Sequence, residues 1–274
     1  MTTARTSYKP TGVKALGDPS ERDLILIERR LQVIRNRMER WLRIRYRRML
    51  RDLFDRLTES DTVPTDPEIM SIVARFDHEQ ESVLRSFYLT LFPRVEELVI
   101  PDDTIKSWSM GIETKDRDDF QRFMDQWLQT LMGINITYIS TETLAQVRHI
   151  CSLSHNDPVL FMDMLKASGL FGSVRARRIA VTETTSGINS AMHEASSAVS
   201  FGRKMVTVWR TTGRLNVRNT HERMHGAEVP FGTPFEVPRE DGGVDRMMYP
   251  GDSSLGASAA NVVNCHCMAF QRYV

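Results

Sequence analysis

Cys265 and Cys267 stand one residue apart near the C-terminus, in Val262-Val-Asn-Cys-His-Cys267, and account for two of the chain's three cysteines. Upstream, Arg218-Asn-Thr-His-Glu-Arg-Met-His-Gly226 carries His221 and His225, four residues apart. Thiolates and imidazoles are the ligands that zinc prefers, and an i, i+4 pair of histidines shares one helix face. His221, His225, Cys265 and Cys267 therefore compose a candidate tetrahedral metal set. The same residues admit nucleophilic chemistry: Cys265 or Cys267 as nucleophile, His221 as base and Glu222 to orient it, or a nuclease with His225 as base. They also admit an inert answer, in which the histidines hydrogen-bond a turn and the cysteines are small buried apolar groups. The chain has no P-loop, no GxGxxG motif and no paired-carboxylate signature.

These residues must be positioned by elements of two kinds. Met205-Val-Thr-Val-Trp-Arg-Thr-Thr212 alternates and then meets Gly213, so it reads as a strand. A short helix at about 216–225 follows, then turn-rich pieces around Pro230, Pro234 and Pro238, and a closing strand over about 262–272. On that strand Cys265 and Cys267 would share one face. Ahead of this small mixed unit the pattern is helical. Ile27, Leu31, Ile34, Met38, Trp41/Leu42, Tyr46, Met49 and Leu53 recur at three and four, so a helix is expected from Ser20, a plausible N-cap, to Thr58. Most residues between them are arginine, and the helix would run roughly 55 Å. A helix that long should lie against something. Glu59 to Pro67, with Pro64 and Pro67, reads as a linker, and further amphipathic helices are expected over 67–91, 115–131, 141–153, 157–169 and 173–200. Asp157-Pro158 is a clean helix start, and Gly169 and Gly172 a stop. The expected fold class is α+β: a mobile tail over 1–19, a long basic helix over 20–58, an acidic helical region over 59–172 and a small α+β domain over 173–274.

The totals narrow the class. The chain has 274 residues, is 41% apolar and 26% charged, and has a net charge of +1. That balance hides segregation: 15 Lys/Arg against 8 Asp/Glu over residues 1–60, 9 against 18 over 61–170, and 12 against 9 over 171–274. Segments so different in charge are suited to different partners. Three cysteines do not make a disulfide framework. The N-terminus lacks the apolar core of a signal peptide, and no apolar run approaches the about 18 residues of a membrane span. A soluble protein of a reducing cytoplasm, without a membrane partner, is the expectation.

In order, Arg178-Ile-Ala-Val-Thr-Glu-Thr184, Trp209, Arg218-Asn-Thr-His221, Met224-His-Gly226, Phe235, Tyr249-Pro-Gly-Asp252 and Val263-Asn-Cys-His-Cys267 resemble the phage Mu F-like family of minor head proteins, also called head morphogenesis proteins. The resemblance covers about 175–270. It implies a virion protein, made in the host cytoplasm, that sits at the portal or inner capsid and helps head assembly, DNA packaging or genome delivery. It implies no enzymatic activity. Trp209, His221, Gly226, Asn264, Cys265 and Cys267 would be its structural motif. Some relatives carry a Cys-x-x-Cys pair where this chain has Arg218 and His221. A zinc set here would need His225 in place of that missing ligand, and the expectation without it is no cofactor. The charge map would place Arg37, Arg40, Arg43, Arg47, Arg48 and Arg51 against a portal protein, another capsid protein or packaged double-stranded DNA. The competing class is a cysteine- or metal-dependent hydrolase or nuclease delivered with the genome.

Overall fold

The computed structural model describes residues 21–99, 115–199, 204–211 and 217–274. Five helices come first: α1 (Glu21–Leu57), α2 (Asp66–Val99), α3 (Lys115–Leu153), α4 (Pro158–Ala167) and α5 (Ser173–Val199). Then follow β1 (Met205–Arg210), α6 (Asn219–Glu222), β2 (Glu228–Pro230), β3 (Phe235–Pro238), β4 (Val244–Met247), α7 (Ala259–Val262) and β5 (Met268–Tyr273). The class is α+β, mostly helical at the N-terminal side, with a small sheet region at the C-terminal side. The expected tail over 1–19 and the Ser20 cap lie outside the described residues.

The apolar stripe of α1 is the reason for its position. Leu31, Met38, Leu42, Tyr46, Met49 and Leu53 are buried, joined by Leu50 and Leu57. The stripe packs on α2 and α5. Each fully buried side chain of that size contributes about 1.5–3 kcal/mol. The half-exposed Arg56–Glu79 pair at 3.6 Å adds under about 1 kcal/mol. Burial therefore docks α1 on α2 and α5, and that surface pair adds little.

Local signals set the starts of two helices. Thr65 and Glu68 form a capping box at α2, with the Thr65 backbone N–H and hydroxyl both donating to Glu68 Oε2 at 2.7 Å. Asp157 caps α4 by accepting from Val159 and Leu160, and Pro158 follows as expected. Two expectations fail for one reason. The helix expected to end at residue 91 continues through Pro93 to Val99, and the separate helices 115–131 and 141–153 are the single α3. Phe92, Val95, Met132 and Ser140 are buried across those joints, and packing overrides weak helix propensity there.

The sheet has the order β2-β1-β5 and is antiparallel throughout, with Val208 opposite Phe270 and Glu228 on its two sides. β3 and β4 form a separate hairpin that pairs Phe235 with Met247. One apolar core runs through the helices and takes in Tyr249, Met268, Ala269 and Phe270 from the C-terminal part. Thus α5 belongs to the helical core as well as to the segment 173–274. A second, smaller core holds Trp209, Met224, Phe235, Val237, Met247, Val262, Cys265 and Cys267.

Candidate metal centre

The expected closing strand over 262–272 is shorter than its pattern suggested. α7 ends at Val262, β5 begins only at Met268, and residues 263–267 make a turn. Asn264 sits at φ 58, the left-handed region that interrupts an extended chain and that asparagine tolerates better than most residues. The Cys267 backbone N–H then donates to Cys265 Sγ at 3.4 Å. The turn, not a strand face, aims both sulfurs the same way.

Both face His221. Its Nδ1 lies 3.5 Å from Cys265 Sγ and 3.6 Å from Cys267 Sγ. The three ligand atoms lie within 4.8 Å of one another, and all three residues are buried. Tetrahedral zinc with Zn–S of about 2.3 Å and Zn–N of about 2.0–2.1 Å requires a sulfur-to-nitrogen edge of about 3.5–3.6 Å. The observed edges match that requirement. The cluster could hold a metal ion.

A chain of hydrogen bonds presets the imidazole. Asp245 Oδ2 accepts from Asn261 Nδ2 at 2.9 Å, which turns Asn261 Oδ1 toward His221 Nε2 at 3.2 Å. An amide oxygen can only accept, so Nε2 carries the proton and the Nδ1 lone pair is left facing the sulfurs. Burial works to raise the Asp245 pKa, but donors from Ser258 and Asn261, with Arg239 nearby, outweigh it and hold the carboxylate low. Arg239 Nη1 lies 3.6 Å from Asp245 Oδ1.

A hydrogen bond with Cys267 draws the Cys265 pKa well down, against the burial that raises it. Cys267 is pushed up by the same hydrogen bond, then by burial and by the charge on its neighbour. The indole N–H of Trp209 favours the Cys267 thiolate electrostatically, although its geometry does not qualify as a hydrogen bond and Nε1 has no other partner. The fully buried Trp209 ring meets His221 edge-on at 5.3 Å.

The turn is clamped from the helical side. The Thr185 hydroxyl of α5 donates to the Cys265 carbonyl at 2.5 Å, and the Asn189 amide donates to the Cys267 carbonyl at 3.1 Å. Asn264 N–H donates to the Thr182 hydroxyl at 2.9 Å, and Asn189 Oδ1 accepts from Ala269 N–H at 2.9 Å. Arg35, fully buried on α1, donates to the His266 carbonyl at 2.5 Å and to the Cys267 carbonyl at 3.5 Å. The guanidinium of Arg218 donates to the Val263 carbonyl. The position where a fourth ligand would have been useful thus holds the start of the turn.

Trp209, Cys265 and Cys267 meet in one small core, and the Trp209 ring meets His221 there. Gly226 sits at φ +79 and donates to the Trp209 carbonyl at 2.8 Å, so its place is a turn that glycine suits. Asn264 is exposed, and its contribution is its backbone. His225 does not join the ligand set. The helix expected over 216–225 is only Asn219–Glu222, so the i, i+4 relation is never realised. His225 is exposed, and its Nδ1 lies 2.7 Å from the Thr211 hydroxyl. Glu222 is exposed as well, and the residue that orients His221 is Asn261. Cys265, His221 and Asn261 have the residue types of a cysteine nucleophile set, but Cys265 is only 2% exposed, which denies a substrate access. Arg37, Arg40, Arg43, Arg47, Arg48 and Arg51 are exposed on α1, away from this centre.

The sequence reading missed Asn261, Asp245, Thr185, Asn189 and Arg35. Asn261, three residues before Asn264, is a polar residue inside an otherwise small and apolar run and offered a faint signal. Arg35 offered none among so many arginines. No helix among the described residues is long and apolar enough to cross a membrane. Compared with family models, with curated proteins and with solved structures, the chain has no significant match.

Proposed function

We propose that the chain is a phage minor head protein, a structural virion component that associates with the portal or inner capsid and aids head assembly, DNA packaging or genome delivery. The reading rests on the resemblance over about 175–270. What supports it is that residues 209 to 267 of the resemblance are not scattered: Trp209, His221, Cys265 and Cys267 share one buried core, with Gly226 and Asn264 at its turns. A set that builds a buried core, rather than an open cleft, suits a structural and interaction module.

In this reading His221, Cys265 and Cys267 hold a zinc ion. Zinc would supply cross-linking, not chemistry at an accessible position, by tying the 219–222 helix to the 263–267 turn. The two sulfur-to-nitrogen edges near tetrahedral length and the preset Nδ1 lone pair support that part.

The test is localisation in purified particles. The protein should be present in mature virions in a few copies and should co-purify with the portal protein on co-expression. Particles that lack it, with no portal association, would sink the head-protein reading. Elemental analysis of the purified chain decides the metal separately: close to one zinc per chain is expected, and less than about a tenth rejects it.

A further inference from the structure

The outer face of α1 carries a run of arginines that no ion pair among the described residues neutralises. From Arg29 to Arg51 the sequence holds ten arginines and one carboxylate, Glu39. Structure removes two arginines from the outer face. Arg35 turns inward to the metal turn, and the Arg45 guanidinium stacks 3.5 Å over the Trp41 ring. Glu39 also turns away, toward His266 at 3.8 Å. Eight exposed arginines remain: 29, 30, 37, 40, 43, 47, 48 and 51. Among the described residues none of the eight is in an ion pair.

Their arrangement is one-sided and straight. At 3.6 residues per turn the eight lie within an arc of about 140°, opposite the buried stripe, over a length of roughly 33 Å. That length is about one turn of a B-form duplex. Guanidinium groups match phosphate oxygens in pairs, which a row of ammonium groups does not. From this geometry we infer that α1 lies along the phosphate backbone of double-stranded DNA.

Three observations favour that occupant. A helix that binds a lipid surface commits its apolar stripe to the bilayer, and here the stripe is consumed by α2 and α5. Between Arg29 and Arg51 the exposed large apolar residues are Val33 and Ile44. A single strand is held by stacking its bases on exposed aromatic rings, and this face has none: Tyr46 is buried and Trp41 lies under Arg45. Finally, residues 61–170 carry 9 basic and 18 acidic residues, so the body of the protein repels a polyanion and leaves it the arginine face. The inference stands on the charge and shape of α1, and it survives failure of the virion reading.

Fluorescence anisotropy of the full chain with a mixed-sequence DNA duplex of about three turns tests it. Affinity should fall on the order of a thousandfold or more between about 50 and 200 mM NaCl, as expected for six or more phosphate contacts. Combining Arg37→Gln, Arg40→Gln, Arg47→Gln and Arg51→Gln should reduce the log–log salt slope by about four, with unfolding unchanged because all four are exposed. The same four positions changed to lysine should keep the slope, and Arg85→Gln, exposed on α2, should change nothing. No binding at about 50 mM salt, or a glutamine variant that binds like wild type, overturns the inference. So does displacement of the duplex by polyglutamate at equal charge, which would identify an acidic protein surface as the partner, or preference for single strands of equal length.

Discussion

Arg35 and His266 are 231 residues apart in the chain, yet the Arg35 guanidinium donates to the His266 carbonyl at 2.5 Å. The bond joins the long basic helix to the turn that presents Cys265 and Cys267. Arg35 is fully buried, and its position on the inner face of α1 is held by Leu31, Met38 and Leu42 on either side. The turn is therefore built against two helices, α1 and α5, and is not a free loop.

Removing that guanidinium takes away the Arg35 donor of the His266 carbonyl and leaves the Cys267 carbonyl with the Asn189 amide alone. Arg35→Met keeps the apolar stem and should destabilise the fold by about 2–4 kcal/mol, measured by urea unfolding. It should also loosen bound metal. A loss under about 1 kcal/mol would mean the turn holds itself.

Asn261 sets the tautomer of His221. Asn261→Leu removes the acceptor for Nε2–H, so the imidazole is free to turn its lone pair away from the sulfurs. Zinc affinity, measured by competition with a chromophoric chelator, should fall about 10- to 100-fold. Unchanged affinity would count against metal ligation by His221.

Cys265→Ser with Cys267→Ser deletes both sulfur ligands. The double variant should hold no zinc and should lose solubility or melt well below wild type; EDTA should lower the wild-type melting temperature and leave the variant's unchanged. A variant as stable as wild type, and insensitive to EDTA like it, would reject a stapling role. If EDTA instead abolishes a hydrolytic activity on DNA, RNA or peptide, the competing enzyme class is restored.

Gly187 sits where α5 closely approaches α2. A Cβ there would meet Leu91 Cδ2 and Tyr88 Cε1 at 2.8 Å. Tyr88 is held by its bond to Glu183 at 2.5 Å, so it has little room to move. Gly187→Ala should cost about 1–3 kcal/mol despite the better helix propensity of alanine. A stabilised variant would show that the interface gives way.

Glu183 should give the fold a pH dependence. Burial raises its pKa, outweighing the donors from Tyr88 and Asn135. The folded state then keeps its proton where the unfolded chain releases it. Stability from this group is full below the ordinary glutamate pKa near 4.5 and is lost as pH rises through the raised folded value. Glu183→Gln keeps an oxygen acceptor for Tyr88 and Asn135 but cannot ionise. Its stability should decline less than wild type's between acid and neutral pH, and equal profiles for the two proteins would refute the assignment.

Sequence alone determined what local physics can carry. The 3.6-residue period of Leu31, Met38, Leu42, Tyr46 and Leu53 specified α1 and its buried side, and Asp157-Pro158 specified the start of α4. The types of Cys265, Cys267 and His221 specified the chemistry open to the site. Sequence could not choose between His221 and His225, because spacing predicts a shared face only if the helix is long enough, and this one stops at Glu222. Nor could it separate Arg35 from Arg37: the first is buried against the turn that carries Cys265 and Cys267, the second is exposed, and both are arginines in one basic run. Those choices were made by tertiary contacts. The left-handed Asn264, the Asp245–Asn261–His221 chain and the clamps from Thr185 and Asn189 bring together groups far apart in sequence, and burial then decides which of them can act.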